Sequence, residues 1–383
     1  MIRTTGLLLV VGCITWLQMV AAPVTKAEKG FFADKTDAVH AAGAPDSTEP
    51  ATYNKAVFNL AEYITDNGFL LNRRSSRAFK SSLGITKKGF AIEAFYFPGK
   101  KGKRALVIGG MHGSELSSIE VARKLIRDLQ KENTSDYDVM IIPCLFPDNA
   151  LSALSDPENI GSVHNIGRYT NNKGVDPNRQ MPSLGKPFIL HDAKDHLERE
   201  IEYENQLLLQ LISKYRPDRI VNLHAIRNVA NAGIYADPRT DSKGRSLGFE
   251  MDSLLAINMA KYIAQGGGRV PGNNLNHKPT AHYPKDPAVV ATHHFQPRSV
   301  CGSVLQASKG CGVSLGSWAS TAVEDPADPA HNRDAITLIT VEFPGYKRPQ
   351  DYATEKEQKN CRRQVQLFAS AISEIFLGDD HFL

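Results

Sequence analysis

Three stretches of this 383-residue chain are apolar almost without interruption, and each delivers a residue that does not belong in a hydrocarbon core. "RALVIGGMHGSE" runs into His112 and Glu115, "RIVNLHA" into His224, and "ITLITVEFPG" carries Glu342. A fourth run, "YDVMIIPCLFPDN", is apolar along its length and holds Cys144. Runs of this kind read as strands buried on both faces, which occur in sheets covered by helices. Between them lie "SELSSIEVARKLIRDLQ", with apolar residues at helical spacing, and "AKDHLEREIEYENQLLLQLISKY", "FEMDSLLAINMAKYIAQ" and "EKEQKNCRRQVQLFASAISEIF". All four read as helices, the third of them closed by Gly266-Gly267-Gly268. Strands alternating with helices predict an α/β sandwich around a mostly parallel or mixed sheet. Residues 55–68, "KAVFNLAEYITDNG", are expected to form a short helix, and a long loop is expected up to about residue 190.

Hydrophobic residues make up 42% of the chain and charged ones 22%, as in a soluble globular protein. The net charge is only +4 and no dense Lys/Arg stripe is interleaved with aromatics, so nucleic acid is not an expected partner. The N-terminus reads as an export signal: Arg3 precedes the apolar run "GLLLVVGCITWLQMVAA", with Ala27 a candidate cleavage point and an uncleaved anchor the alternative. The expected organisation is a signal peptide at 1–27, a loose arm at 28–50 and a catalytic domain at 51–383, secreted or periplasmic, with no stable membrane insertion once the signal is removed. In that setting Cys301 and Cys311, flanking a Gly/Ser-rich loop, are expected to form a disulfide, and Cys144 to be a buried thiol.

Ligands of α/β sheets bind at the carboxyl ends of the strands. His112, Glu115, His224 and Glu342 all lie at such ends. Two histidines and one carboxylate form a catalytic zinc set that leaves a position open for water, and a further glutamate can act as base. Taken singly these residues read as ordinary: a strand-end histidine is usually a hydrogen-bonded core residue. A glutamate inside "ITVEFPG" is harder to dismiss, because a carboxylate embedded in an apolar strand has to be paired, metal-bound or shifted in pKa.

"GGMHGSEL", "GVDPNR" at 174–179, "NLH" and "TVEFPG" together resemble the zinc carboxypeptidases of the M14 type, over roughly residues 75–375. The resemblance implies a three-layer α/β/α sandwich with a central mixed, eight-stranded sheet. It implies that His112, Glu115 and His224 bind one zinc ion per chain, and that Glu342 is the general base for the attacking water. Asn178 and Arg179 would grip the free terminal carboxylate of a peptide substrate, a task suited to the planar fork of arginine. Arg168 is the candidate for stabilising the developing oxyanion. Some small relatives act on cell-wall peptides, cleaving between D-glutamate and diaminopimelate.

The sequence departs from the digestive members, which carry a tyrosine roughly twenty residues before the catalytic glutamate. No tyrosine lies between Tyr283 and Tyr346, and "SLGSWAS", with Trp318 and Ser320, is the neighbourhood expected to cap the substrate instead. His293 and His294 are expected to be exposed loop residues, with a substrate-facing role as the alternative. Two rival functions remain: a related zinc deacylase of N-acyl amino acids, similar to succinylglutamate desuccinylase and aspartoacylase, and a non-catalytic binding protein on the same fold.

Overall fold

The apolar runs do become strands. In the computed structural model the described residues are 58–59, 76–133, 135–170, 174–247, 249–273, 275 and 311–378. The readings of the signal peptide, the arm, Tyr283, His293, His294 and Cys301 fall outside them. Residues 54–383 form one compact unit.

Its strands are β1 (Phe58–Asn59), β2 (Phe79–Ile85), β3 (Ala91–Phe97), β4 (Lys103–Ile108), β5 (Tyr137–Ile142), β6 (Arg219–Ile226), β7 (Gly233–Asp237) and β8 (Thr337–Pro344). They form one eight-stranded sheet in the order β1-β2-β3-β5-β4-β6-β8-β7. The sheet is mixed: β5, β4, β6 and β8 run parallel, whereas β3 pairs antiparallel to both β2 and β5, and β7 antiparallel to β8.

Among the described residues six α-helices accompany it: α1 (Leu116–Lys131), α2 (Pro147–Leu154), α3 (Tyr203–Tyr215), α4 (Phe249–Gln265), α5 (Leu315–Ala319) and α6 (Glu355–Ala371). Because side chains alternate along a strand, β4 sends Ala105 and Val107 to one face and Leu106 and Ile108 to the other. The first pair packs with Val121 and Leu125 of α1, Met259 of α4 and Phe368 of α6. The second packs with Leu208 and Ile212 of α3 and with Trp318 of α5. Two cores on opposite faces of one sheet make the three-layer α/β/α sandwich expected.

Three local expectations fail for identifiable reasons. Phe58–Asn59, inside the stretch expected as helix, pair parallel with Ser81 and Ser82 as an edge strand; sheet pairing overrides local propensity there. Residues 193–202, read as the start of a long helix, instead make a tight turn. Asp195 accepts hydrogen bonds from the backbone N–H groups of Leu197 and Arg199 and an ion pair from Arg199 Nε, and Glu198 sits at φ 59. A short carboxylate that captures backbone donors competes directly with helix formation. The end of the run "YDVMIIPCLFPDN" and the start of the expected loop instead form α2, where Pro147 occupies the first turn and needs no backbone donor.

Candidate metal centre

β4, β6 and β8 are neighbours in the sheet and parallel, so their carboxyl ends open side by side. Beyond β4 the chain turns sharply at Gly109-Gly110, and Gly110 adopts φ 62. A Cβ on Gly110 would lie 2.9 Å from both the Cα and the sulfur of Cys144, so this turn tolerates only glycine. The turn presents His112, and Glu115 follows as the residue that starts α1. On β6 and β8, His224 and Glu342 stand directly opposite one another in register.

The three expected ligands converge. His112 Nδ1 lies 3.2 Å from His224 Nδ1 and 3.0 Å from Glu115 Oε1, and His224 Nδ1 lies 3.0 Å from Glu115 Oε2. All three residues are buried, at 3%, 5% and 3% exposure for His112, Glu115 and His224. Among the described residues they are the one His/Cys/Asp/Glu group with metal-holding geometry. A tetrahedral zinc with bonds near 2.0–2.1 Å sets its donors about 3.3 Å apart, so only slight expansion is needed to seat the ion. The donor set of two imidazoles and a carboxylate therefore fits zinc.

Asp176 was not singled out by the sequence, yet it orients the cluster. Its Oδ1 receives His112 Nε2 at 2.8 Å and the Asn178 N–H at 2.8 Å. The proton is thereby held on Nε2, and the Nδ1 lone pair is left facing the other donors, the usual carboxylate–histidine arrangement beside a metal. Burial disfavours the Asp176 carboxylate, but His112, Arg168 and Arg179 outweigh it and hold the group ionised well below the usual range. Asp176→Asn is expected to weaken zinc binding about 10–100-fold, read by competition with a chromogenic chelator. Unchanged affinity would remove Asp176 from the centre.

Arg168 also reaches the cluster. Its Nη1 ion-pairs with Glu115 Oε1, and Nη2 lies 3.5 Å from Asp176 Oδ2. Its loop is held by Asn165, whose side chain accepts from the Gly167 N–H and donates to the Ala153 and Asp156 carbonyls. Burial would neutralise Glu115, but His112, Arg168 and His224 together drive its pKa well below normal. His112 feels burial and Arg168 pushing its pKa down, and Glu115 and Asp176 pushing it up; the carboxylates prevail. Glu342 is governed chiefly by burial, reinforced by Glu115 and opposed by His224 and Arg168, and its pKa is pushed up to about 7.

Asn178 and Arg179 stand on the short turn Pro177–Arg179. Asn178 Oδ1 accepts from the Leu315 N–H at 2.9 Å, which turns its Nδ2 toward His224 Nε2, 3.2 Å away. The Arg179 guanidinium donates to the Asn178 carbonyl and has no carboxylate ion pair among the described residues. Arg199 braces this turn by donating to the carbonyls of both Arg179 and Cys311. Cys311 is disulfide-bonded, while Cys144 and Cys361 are free thiols pushed up to about 12 by burial.

The expected aromatic cap is not one. Trp318 is 1% exposed, donates its indole N–H to the Lys186 carbonyl and lies under the Arg333 guanidinium; Ser320 is fully buried. The apolar core below the sheet claims the indole, so it has no surface to offer a substrate.

A mixed α/β sheet with a His–Glu–His cluster at the carboxyl ends of adjacent parallel strands defines a metallohydrolase scaffold. The zinc carboxypeptidase sequence profile matches residues 70–283, and the chain belongs to that family of zinc-dependent hydrolases. The matched stretch includes His112, Glu115, Asn178, Arg179 and His224; Glu342 lies beyond it and is placed by strand register. Among solved structures, the chain is similar to carboxypeptidase A from Helicoverpa armigera, with 14% identity, 82% of this chain and 72% of that chain covered, and a TM-score of 0.43. It is also similar to murein-tripeptide amidase MpaA from Escherichia coli O157, with 18% identity, coverage of 75% and 91%, and a TM-score of 0.36. A metallo-carboxypeptidase from Burkholderia cenocepacia gives 13% identity, coverage of 80% and 67%, and a TM-score of 0.39. No curated protein sequence matches the chain. Among the described residues no helix is long and apolar enough to cross a membrane.

Proposed function

We propose that this chain is an exported zinc carboxypeptidase that hydrolyses the amide bond of the terminal residue of a peptide with a free carboxylate. Export rests on the Arg3 and apolar-run signal of the sequence, and peptides of the cell wall are substrates in keeping with it. One observation carries the reading. The donor set of His112, Glu115 and His224 lies against the Pro177–Arg179 turn, where Asn178 Nδ2 is 3.2 Å from His224 Nε2 and the next residue, Arg179, has no carboxylate partner among the described residues. A buried or half-buried guanidinium with an open fork is suited to a carboxylate brought by the substrate.

His112, Glu115 and His224 would hold the zinc, which would supply Lewis-acid chemistry to the scissile carbonyl and to the attacking water. The remaining work falls to the chain's own groups. Arg179, with Asn178 beside it, fixes the terminal carboxylate and so sets which amide bond faces the centre. Glu342, with its pKa near neutrality, takes the proton of the attacking water and returns it to the leaving amine. Arg168 bears a positive charge beside the cluster and stabilises the oxyanion that forms on the carbonyl. Asp176 keeps His112 in the ligand-competent tautomer.

The test is product analysis by mass spectrometry. Zinc-loaded protein receives paired peptides with a free or an amidated C-terminus, cell-wall peptide fragments, and N-acyl amino acids. Release of one terminal residue from free-carboxylate peptides alone is the expected result. Cleavage of acyl amino acids alone would assign the chain to the deacylases, and cleavage of amidated peptides at equal rate would remove Arg179 from its role.

A further inference from the structure

The side chain of Arg179 is placed only as well as the main chain that carries it. On the turn Pro177–Arg179 each carbonyl is taken by a side chain. Asn205 Nδ2 donates to the Pro177 carbonyl at 2.8 Å, and the Arg179 guanidinium donates to the Asn178 carbonyl at 2.6 Å. The third carbonyl, that of Arg179 itself, accepts from Arg199 Nη2 at 2.9 Å, and the same nitrogen reaches the Cys311 carbonyl at 2.8 Å. The two segments that Arg199 joins are already pressed together. Gly312 sits at φ 124, and a Cβ there would lie 2.1 Å from the Arg179 carbonyl oxygen.

Arg199 is in turn aimed by Asp195. Its Nε donates to Asp195 Oδ2 at 2.6 Å; the Asp195 side chain is fully buried and that of Arg199 is 16% exposed. Asp195 Oδ1 accepts from the N–H groups of Leu197 and Arg199, which ties the carboxylate to the turn that ends in Arg199. Within that turn Glu198 adopts φ 59, a left-handed conformation that a residue with a Cβ takes only at a cost. With Nε fixed, the planar guanidinium has one direction left for its outer edge. Joining the two segments does not require this ion pair. Met181 and Val313, each two residues further along, pair antiparallel, with the Met181 N–H on the Val313 carbonyl at 3.2 Å. What Arg199 adds is a fixed place for the Arg179 carbonyl.

We propose that Arg199, aimed by Asp195, is a positioning residue that sets the place of Arg179 and thereby the affinity for the substrate's terminal carboxylate. The proposal rests on the carboxypeptidase reading. Arg199 does not touch the substrate; it spares Arg179 the ordering of a loose turn when the carboxylate arrives. The carboxylate is gripped in the ground state and in the transition state alike, so a displaced Arg179 weakens both equally and the loss falls on KM.

The experiment measures kcat and KM on one free-carboxylate peptide for zinc-loaded wild-type protein, Arg199→Met, Arg179→Met and the double variant. Arg199→Met is expected to raise KM about 10–100-fold while kcat stays within about threefold. Zinc affinity, read by chelator competition, should not move. In the Arg179→Met background the same change should lower kcat/KM no further, because a residue that acts through Arg179 then has nothing left to place. If Arg199→Met does not fold, Asp195→Asn decides. With its Oδ1 kept for the backbone N–H groups, the amide turns a donor toward Arg199 Nε, and KM is expected to rise about tenfold at constant kcat. A fall in kcat at unchanged KM, a loss that adds in full to that of Arg179→Met, or lowered stability with both constants unmoved overturns the proposal and leaves the carboxypeptidase reading standing. Release of no terminal residue by wild-type protein overturns both.

Discussion

Glu342→Gln is expected to abolish turnover and, in the metal-free protein, to stabilise the fold at the same time. The activity loss follows from the role of base: kcat should fall about 10²–10⁴-fold while zinc still binds, because the amide keeps the shape and loses the proton acceptor. The stability gain follows from burial. The folded protein holds the Glu342 pKa at about 7, above the ordinary value of 4.5. Between those two values the folded state binds more protons than the unfolded one, so stability falls as pH rises through this window and is lowest above about 7. Glutamine has nothing to ionise and escapes that loss. At pH 8, urea unfolding in EDTA should show Glu342→Gln more stable by about 1–3 kcal/mol, the full shift being discounted because the side chain keeps some contact with solvent. At pH 4.5 the two proteins should unfold together. A variant that is no more stable at pH 8 would mean that Glu342 is well partnered, and one that retains turnover would mean that another group is the base.

The same burial explains what could be read without the structure. β4, β6 and β8 were legible because a strand covered on both faces has no room for polar residues, so a histidine or glutamate at its end stands out. His112, Glu115, His224 and Glu342 were found in this way. β7 was not: "GIYAD" is a five-residue edge strand without a long apolar run, defined by its pairing with residues about a hundred positions away. Asp176 sits inside a motif that drew attention to Asn178 and Arg179, but its task is visible only in its contact with His112, 64 residues earlier. Trp318 shows the opposite error. The resemblance to the digestive members, which carry a capping tyrosine in that neighbourhood, implies a cap over substrate, whereas the indole fills the core beneath the sheet. Local pattern identifies residues that are unusual for their own segment; it does not identify roles that distant partners confer.

Arg168→Met should make the protein bind zinc more tightly and work more slowly. Without a metal, Arg168 is the cation paired with Glu115 and lies 3.5 Å from Asp176 Oδ2. Both acids are buried, and a buried carboxylate stripped of its counter-charge is costly, so the metal-free variant should lose about 3–5 kcal/mol of stability. Zinc is drawn to the same Glu115 carboxylate, which means that Arg168 competes with it. Removing the arginine frees a ligand, and binding a dication then restores the charge balance that the mutation upset. Linkage requires the two effects to agree: whatever part of the stability deficit zinc removes must appear as gained zinc affinity. A recovery of about 1.4 kcal/mol corresponds to tenfold tighter binding. Turnover should nevertheless fall, because methionine cannot stabilise an oxyanion, and a single donor of that kind is worth about 10²–10³ in kcat. Unfolding in EDTA and in excess zinc, a chelator competition and kcat on one substrate measure all three quantities. Weaker zinc binding in the variant would show that Arg168 supports the ligand set by holding Glu115 in place; undiminished kcat would leave it a counter-ion with no part in the reaction. Tighter binding joined to slower turnover is the combination that only a residue with both roles produces, a guanidinium that balances Glu115 until the metal does and is then free to meet the substrate.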